Sequence, residues 1–224
     1  NTEENKDTEE TKEESTEESA DQSEGTEEEV SGFTDGSGDG EDTDTADDTS
    51  TVLDTSEPLT GLHHAEIEVK DYGTIKVELD ADTAPISVTN FVKLAQEHFY
   101  DGLTFHRIID GFMIQGGDPL GTGMGGSERE IKGEFDSNGV KNPLSHTRGA
   151  ISMARAQRKD SASSQFFIVH EDSTFLDGEY ACFGYVTDGM DVVDAICEDT
   201  KVEDNNGTVA KENQPVIESI KVID

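Results

Sequence analysis

The sequence has no tryptophan, only two cysteines, and few basic residues for its size. Its 16 Lys and Arg face 52 Asp and Glu, which gives a formal net charge of −36. Nucleic acids and anionic lipid surfaces attract proteins through cationic side chains, so this composition argues against both as partners. The sequence also contains no run of 18 or more apolar residues, so no membrane-spanning helix is predicted.

The two cysteines, Cys182 and Cys197, lack the spacing of a zinc site or of a CxxC redox pair. We interpret them as two buried free thiols, with a disulfide as the alternative. His106 and His146 have no Cys or His at ligand spacing. The sequence therefore predicts neither a metal site nor a bound cofactor.

The acidic residues are concentrated at the start of the chain. Residues 1–57 hold 23 acidic and 2 basic residues and very few apolar ones. Such a segment buries too little surface to offset its ordering entropy, so we predict a disordered, self-repelling acidic linker. Whether it is a passive spacer or a solubilising, chaperone-like segment is left open by the sequence.

The first residue is Asn1, which favours a processed or trimmed chain. A long polar tether before a folded domain would suit an export signal or a lipid-anchored cysteine upstream. We therefore expect an extracytoplasmic protein, tethered or secreted by a bacterium, with a cytoplasmic one as the alternative.

Residues 58–224 have enough apolar positions for one folded domain. Alternating apolar residues predict a β-hairpin over 63–79. Short strand-like runs, several of them separated by glycine-rich turns, predict further strands at 104–109, 112–115, 150–154, 165–169, 183–186 and 215–224. Two helices are predicted, one over 85–98 with Thr83 as its N-cap and one over 188–199. Many short strands with two helices indicate a mainly β barrel or sandwich whose ends the helices cover.

Three motifs stand out in this domain: "FHRIIDGFMIQGGD" at 105–118, "ISMARAQRKDSASSQFFIV" at 151–169 and "FLDGEYACFG" at 175–184. By contrast, "GTGMGG" at 121–126 matches a dinucleotide-binding pattern but lacks the strand and helix around it, and is interpreted as a turn-rich loop. Together the three motifs, in this order and spacing, resemble the cyclophilin family of peptidyl-prolyl cis-trans isomerases. The resemblance covers about residues 63–224.

The resemblance implies a closed eight-stranded antiparallel β-barrel, capped by two helices, with a shallow groove on its outer surface. It also implies that proline-containing polypeptides bind there and that the protein works as a monomer. Arg107 matches the catalytic arginine of the family. The implied substrate-binding residues are Phe112, Met113, Gln115, Ala154, Gln165, Phe167, Phe175, Leu176 and Tyr180.

Two of these residues depart from the best-known eukaryotic pattern. Phe175 stands where a tryptophan is common, and Tyr180 stands where a histidine is common. Both substitutions keep an aromatic wall, so isomerase activity is still expected. Loss of the indole N–H donor at 175 predicts weakened binding of cyclosporin.

Elementary chemistry supports an arginine in this role. The Xaa–Pro bond is an amide with a rotation barrier of about 18–20 kcal/mol, and its nitrogen regains a lone pair only when the bond is twisted. A guanidinium that donates to that lone pair stabilises mainly the transition state. The alternative function is a non-catalytic module or chaperone that binds proline-containing segments; alternatively, Arg107 is a structural ion-pair partner.

Overall fold

The computed structural model describes residues 52–224; predictions that fall on residues 1–51 lie outside this range. The domain contains eight strands and two α-helices. These are β1 (Leu62–Val69), β2 (Gly73–Asp80), α1 (Pro85–Gln96), β3 (Phe105–Ile109), β4 (Met113–Gly116), β5 (Ala150–Met153), β6 (Phe166–Val169), β7 (Cys182–Asp188), α2 (Met190–Asp199) and β8 (Ile217–Val222). No helix in this part of the chain has the length and apolar character needed to cross a membrane.

All eight strands form one sheet in the order β3-β4-β6-β5-β7-β2-β1-β8, and every pairing in it is antiparallel. The expected mainly β, eight-stranded architecture with two helices is confirmed. The sheet does not close through a strand ladder between β3 and β8. Only an isolated bridge, Thr104 to Val216, and nearby backbone hydrogen bonds such as Phe105 N–H to the Pro215 carbonyl (2.9 Å) join the two ends.

The incomplete closure has a local cause. Pro215 cannot donate a backbone hydrogen bond, so the chain before β8 offers only its carbonyl there. The strand proper begins at Ile217, beyond this point. A continuous closed barrel was therefore the wrong expectation, and the sheet is a curled one whose edges meet at a single bridge.

The helices form close to where the periodicity predicts them, but the predicted cap of α1 is wrong. Ala84 is the N-cap residue and offers no side-chain bond, while the Thr83 hydroxyl donates to Asp80 instead (2.7 Å). The first turn is capped by a distant residue: buried Glu134 accepts from Ile86 N–H (3.0 Å) and Ser87 N–H (2.8 Å). A carboxylate at a helix N-terminus satisfies unpaired N–H groups and complements the helix dipole.

The main core fills the inside of the curled sheet, with phenylalanine supplying the bulk that tryptophan would otherwise give. Phe91 of α1 is fully buried and lies at its centre. Its ring centroid is 5.3 Å from that of Tyr100 and 5.4 Å from those of Phe166 and Phe183. Such tilted and edge-on contacts are the favoured aromatic geometries.

Both cysteines are free and buried, as predicted. Cys182 lies at the start of β7 and Cys197 in the last turn of α2. Burial raises the pKa of each thiol to about 12, so neither is an exposed reactive thiolate.

Candidate active site

A second, smaller apolar cluster covers the outer face of the sheet. Strand residues alternate between the two faces, so Phe166 and Ile168 of β6 join the main core. Their neighbours Phe167 and Val169 point outward and pack with Met113 of β4. The period of two in these strands therefore creates two apolar surfaces from one continuous sequence.

The outer cluster forms one side of a cavity of about 360 Å³. Eight of the ten predicted site residues line it: Arg107, Phe112, Met113, Gln115, Ala154, Phe167, Leu176 and Tyr180. They come from β3, β4, β6 and the segments that follow β5 and β6. Antiparallel pairing of Arg107 with Gln115 and of Gln115 with Phe167 sets three of them side by side.

Gln165 and Phe175 lie beside this cavity and do not line it. Gln165 accepts a hydrogen bond from the Gln115 side-chain amide (2.9 Å) and donates to the carbonyls of Gly123 (3.1 Å) and Gly125 (2.7 Å). Phe175 is 72% exposed, and its ring lies 5.6 Å from that of Phe112. Gln165 thus holds Gln115 and the glycine loop in place, whereas Phe175 extends the aromatic rim.

Arg107 is fixed by hydrogen bonds to neutral acceptors. Its Nε–H donates to the Asn206 carbonyl (2.8 Å), Nη2 to Asn206 Oδ1 (3.1 Å) and Nη1 to Gln115 Oε1 (3.3 Å). Within residues 52–224 its guanidinium has no carboxylate at salt-bridge distance. Burial lowers the pKa of Arg107, yet a guanidinium stays charged at any ordinary pH. The structural ion-pair interpretation of Arg107 therefore has no support in this part of the chain.

The sequence gives no direct indication of several groups around the cavity. Asn206 and Thr208 lie about a hundred positions from Arg107, yet Thr208 forms an isolated bridge with it. Asp204 shapes their turn by accepting from Asn206 N–H (2.9 Å) and Thr208 N–H (3.1 Å). Only the turn-forming Asp-Asn-Asn-Gly at 204–207 signals a tight loop here.

Arg155 and the glycine loop complete the walls. The Arg155 guanidinium carbon lies 4.7 Å from the ring centre of Tyr180 and 5.0 Å from that of Phe135, which are cation–π distances. Gly121 and Gly123, from the discarded dinucleotide-like motif, also line the cavity. The predicted turn-rich loop is confirmed there, because residues 121–126 contain no helix or strand.

Comparison with known proteins agrees with this geometry. Residues 64–222 match the family model "Cyclophilin type peptidyl-prolyl cis-trans isomerase/CLD". The chain belongs to this cyclophilin family. It is therefore a peptidyl-prolyl cis-trans isomerase, as the three sequence motifs predicted.

Relatives of this cyclophilin occur in bacteria and in eukaryotes. Peptidyl-prolyl cis-trans isomerase B of Bacillus subtilis (strain 168) is 47% identical over 144 residues, which cover 64% of this chain and 92% of the relative. An isomerase of Helicobacter pylori (strain J99) is 48% identical over 133 residues, covering 58% of this chain and 79% of the relative.

Solved structures show the same fold. A Cryptosporidium parvum cyclophilin superimposes with a TM-score of 0.64 and 32% identity, covering 72% of this chain and 98% of that one. The same parasite protein, crystallised in the presence of the dipeptide Ala-Pro, gives a TM-score of 0.63 at 32% identity over 71% and 98% of the two chains.

Behind the cavity of this cyclophilin, a buried histidine supports the aromatic wall. His146 has no exposed surface and stacks on Phe167, with ring centroids 5.9 Å apart. Its Nδ1 is 2.8 Å from Asp177 Oδ1, and its Nε2 is 2.9 Å from Ser152 Oγ. Burial lowers the pKa of His146 despite the nearby carboxylate, so the ring is held neutral.

A second histidine lines the cavity without any partner. His106 is 5% exposed, and neither ring nitrogen has a hydrogen-bond partner among the described residues. Burial lowers the pKa of His106, with Arg107 adding to the effect against the opposing charge of Asp118. A neutral imidazole next to the arginine leaves Arg107 as the only charged side chain that reaches the cavity from β3.

Proposed function

We propose that the proline ring of a polypeptide substrate occupies this cavity and that Arg107 is the catalytic residue. Phe112, Met113 and Phe167 supply the apolar surface that holds a pyrrolidine ring. Ala154 and Gln115, which line the cavity, contact the substrate backbone or the residue before proline. Leu176 and Tyr180 extend the same apolar surface, and Phe175 and Gln165 support the site from outside.

The single observation that carries this proposal is that Arg107 has more N–H donors than hydrogen-bond partners. An arginine has five N–H donors. Three are used by Asn206 and Gln115, so two have no partner among the described residues. An unneutralised guanidinium with spare donors beside an apolar cavity is suited to a lone pair that develops during the reaction.

The proposed chemistry needs only this donor and a dry pocket. In the planar amide, the nitrogen lone pair is delocalised and accepts hydrogen bonds poorly. Rotation localises it, and the interaction with Arg107 then strengthens as the barrier is approached. Because the bond is stronger in the transition state than in the ground state, it lowers the barrier instead of only tightening binding.

Exchange spectroscopy by NMR on a short Xaa–Pro peptide tests this role. We expect Arg107→Ala to slow catalysed exchange by about 10²–10³-fold, the usual effect of removing one transition-state donor. Arg158→Ala is the matched control, because Arg158 is 69% exposed and pairs with Glu130 on the surface. If a folded Arg107→Ala protein catalyses exchange as fast as the intact protein, the proposal is wrong. If the intact protein binds the peptide without catalysing exchange, the site is a binding module.

We also propose that cyclosporin binds weakly. Residue 175 is an exposed phenylalanine at the rim, whose ring offers no hydrogen-bond donor. A ligand that needs an N–H at this position would lose that bond and keep only the apolar contact.

We further propose that the isomerase acts outside the cytoplasm, as a monomer tethered or secreted by a bacterium. The acidic, polar composition of residues 1–57 suits a spacer between an anchor and the domain. Fractionation of the native cell with mass spectrometry of the N-terminus tests the location, and light scattering of the purified chain tests the oligomeric state. A cytoplasmic location would contradict the first proposal, and a dimer would contradict the second.

A further inference from the structure

A cluster of metal-ligating side chains lies at the β3–β4 turn, outside the cavity described above. Asp110 is in this turn, His170 follows β6 and Cys197 is in the last turn of α2. One carboxylate oxygen, one ring nitrogen and the thiol sulfur of these residues all lie within 4.8 Å of one another. Because they come from three separate elements, sequence spacing does not reveal the cluster.

The histidine in this cluster is already oriented as a metal ligand would be. His170 Nε2 is 3.0 Å from Asp194 Oδ1, and the other oxygen of Asp194 accepts from Arg148 Nη2 at 2.8 Å. Gly111 N–H donates to Nδ1 at 2.9 Å, so Nδ1 carries the lone pair and Nε2 the proton. Metal-binding histidines characteristically donate their second ring N–H to a carboxylate, which fixes the ring and raises its basicity.

The lone pair of His170 lies close to the exposed candidate ligand, Asp110. Nδ1 is 3.4 Å from Asp110 Oδ1. His170 and Cys197 are buried, whereas the Asp110 side chain is 80% exposed, so a cation has a path from solvent on one side. Glu171 lies next to the turn, since its Oε2 is 4.0 Å from the position that a Cβ on Gly111 would take. It adds negative charge at the entrance.

We propose that Asp110, His170 and Cys197 bind a Zn²⁺ ion, with water as the fourth ligand. One nitrogen, one thiolate and one carboxylate form a donor set that suits zinc, whereas magnesium and calcium favour oxygen donors alone. Three protein ligands and one open position give the four-coordinate geometry that zinc adopts.

Binding requires two local adjustments. Zinc–ligand distances are about 2.0–2.3 Å, so the three donor atoms must draw closer than they stand without metal. The Gly111 N–H must also turn away from Nδ1. Gly111 has a φ of +74°, and a glycine can change its backbone conformation with little steric cost. The thiol proton of Cys197 leaves to solvent when the sulfur binds the cation.

The β3–β4 turn and the end of β6 already share a backbone hydrogen bond, from His170 N–H to the Phe112 carbonyl (2.8 Å), and a bound ion would add a link from both to α2. Phe112, which lines the substrate cavity, is two residues after Asp110. Zinc would therefore stabilise the fold and hold one wall of the cavity in place.

Calorimetric titration of the full chain with Zn²⁺, after treatment with a chelator, tests the proposal. We expect one tight equivalent that Mg²⁺ does not compete for, and a higher thermal midpoint when it is bound. Cys197→Ser and Asp110→Asn should each weaken binding by more than about 100-fold, and Asp194→Asn, behind His170, by about 10–100-fold. Cys182→Ser is the matched control, since Cys182 is also buried and free but lies outside the cluster.

Cobalt gives an independent readout. Co²⁺ bound to a thiolate produces a sulfur-to-metal charge-transfer absorption, which should appear in the intact protein and in Cys182→Ser and be absent in Cys197→Ser. The acidic residues 1–57 are present in every variant, so their weak cation binding cancels in the comparison. Equal zinc affinity in the intact protein and Cys197→Ser, or no tight equivalent at all, would overturn the proposal and leave His170 as a structural histidine.

Discussion

The two faces of the β-sheet differ in how completely they are packed, although adjacent residues of the same strands supply both. Phe166 faces inward and is fully buried among Phe91, Tyr100 and Phe105. Phe167, the next residue, faces outward against a stacked histidine and a cavity. The inner face is filled by side chains from all parts of the domain, whereas the outer face is only partly covered.

The difference shows that residues on one face of the sheet mainly stabilise the fold, whereas residues on the other face mainly bind substrate. A filled interior has no room for a ligand, and its contacts serve the free energy of folding. The outer face keeps an apolar surface that a proline ring can cover, and it places Arg107 at the edge of that surface. Truncating side chains on the two faces should therefore give opposite patterns of effect.

The largest expected effect on stability is that of Phe166→Ala. Removing a fully buried phenylalanine leaves a cavity that its neighbours fill only in part. We expect the free energy of unfolding to fall by about 3–5 kcal/mol, as measured by urea denaturation. The activity per folded molecule should change little. A loss below about 1 kcal/mol would show that the inner face repacks easily and would weaken the comparison.

Phe112→Ala on the outer face should show the reverse pattern. Phe112 is half-buried and lines the cavity, so its loss removes contact surface for the substrate. We expect kcat/KM on an Xaa–Pro peptide to fall by about tenfold or more, with a smaller loss of stability than in Phe166→Ala. The contrast would break down if the two variants lost stability equally and activity equally.

Acidification should weaken the outer face through its buried histidine. Burial lowers the pKa of His146 in the folded state below its usual value near 6.5, so the unfolded chain takes up a proton that the folded chain does not. His64, whose pKa the hydrogen bond to Asp224 raises, opposes this trend, but the contribution of His146 to stability is full above about pH 6.5 and declines as the pH falls below it. His106, whose pKa burial also lowers, acts in the same direction.

Urea denaturation at several pH values between about 7.5 and 5.5 measures this slope. His146→Gln should flatten it, because the variant has no imidazole to take up the proton on unfolding. Asp177 adds a further loss at lower pH: burial alone would raise its pKa, but hydrogen bonds from Ser145 and His146 together lower it. If the free energy of unfolding does not change with pH down to about 5.5, the buried histidines are not held neutral in the fold and this prediction is wrong.

Asn206→Ala tests how much a single hydrogen bond to Arg107 contributes to activity at the outer face. The variant removes the Oδ1 acceptor of Arg107 Nη2 but keeps the backbone carbonyl that accepts from Nε. We expect kcat/KM to fall by about two- to tenfold, the worth of a net hydrogen bond of about 0.5–1.5 kcal/mol. Asn205→Ala, in the same turn, is the control. Equal activity of both variants would show that Gln115 and the backbone alone position the arginine.

The two faces also differ in how far the sequence predicts them. Alternation in β1 and β2 and helical spacing at Val88, Phe91 and Val92 were enough to predict these parts of the inner face, because a regular period marks a buried surface. The predicted strands and helices were confirmed with small shifts at their ends. The cap of α1 was missed because Glu134 lies far from the helix in sequence. The predicted closure of the sheet was wrong because Pro215 removes a backbone donor just before β8, and the strand begins only at Ile217.

On the outer face, the motifs identified the strand residues around Arg107 but not the loop that holds it. Asn206 belongs to no pattern that links it to Arg107, since the contact depends on how the chain between α2 and β8 folds back. The same limit applies to the proposed zinc ligands, whose three elements meet only in the folded domain. Local patterns predict which residues share a face of a strand or helix. Which distant residues they contact depends on how the whole chain folds.

The smallest effect is expected at Phe175, on the rim where the outer face is most exposed. Phe175→Trp adds an indole N–H beside Phe112 while keeping an aromatic ring there. One net hydrogen bond is worth about 0.5–1.5 kcal/mol, so cyclosporin affinity should rise by about tenfold at most. Calorimetric titration of both proteins measures the change, and peptide turnover should stay nearly constant because Phe175 does not line the cavity. Tight cyclosporin binding by the unmodified protein would show that rim donors contribute little and that the apolar cavity alone determines the affinity.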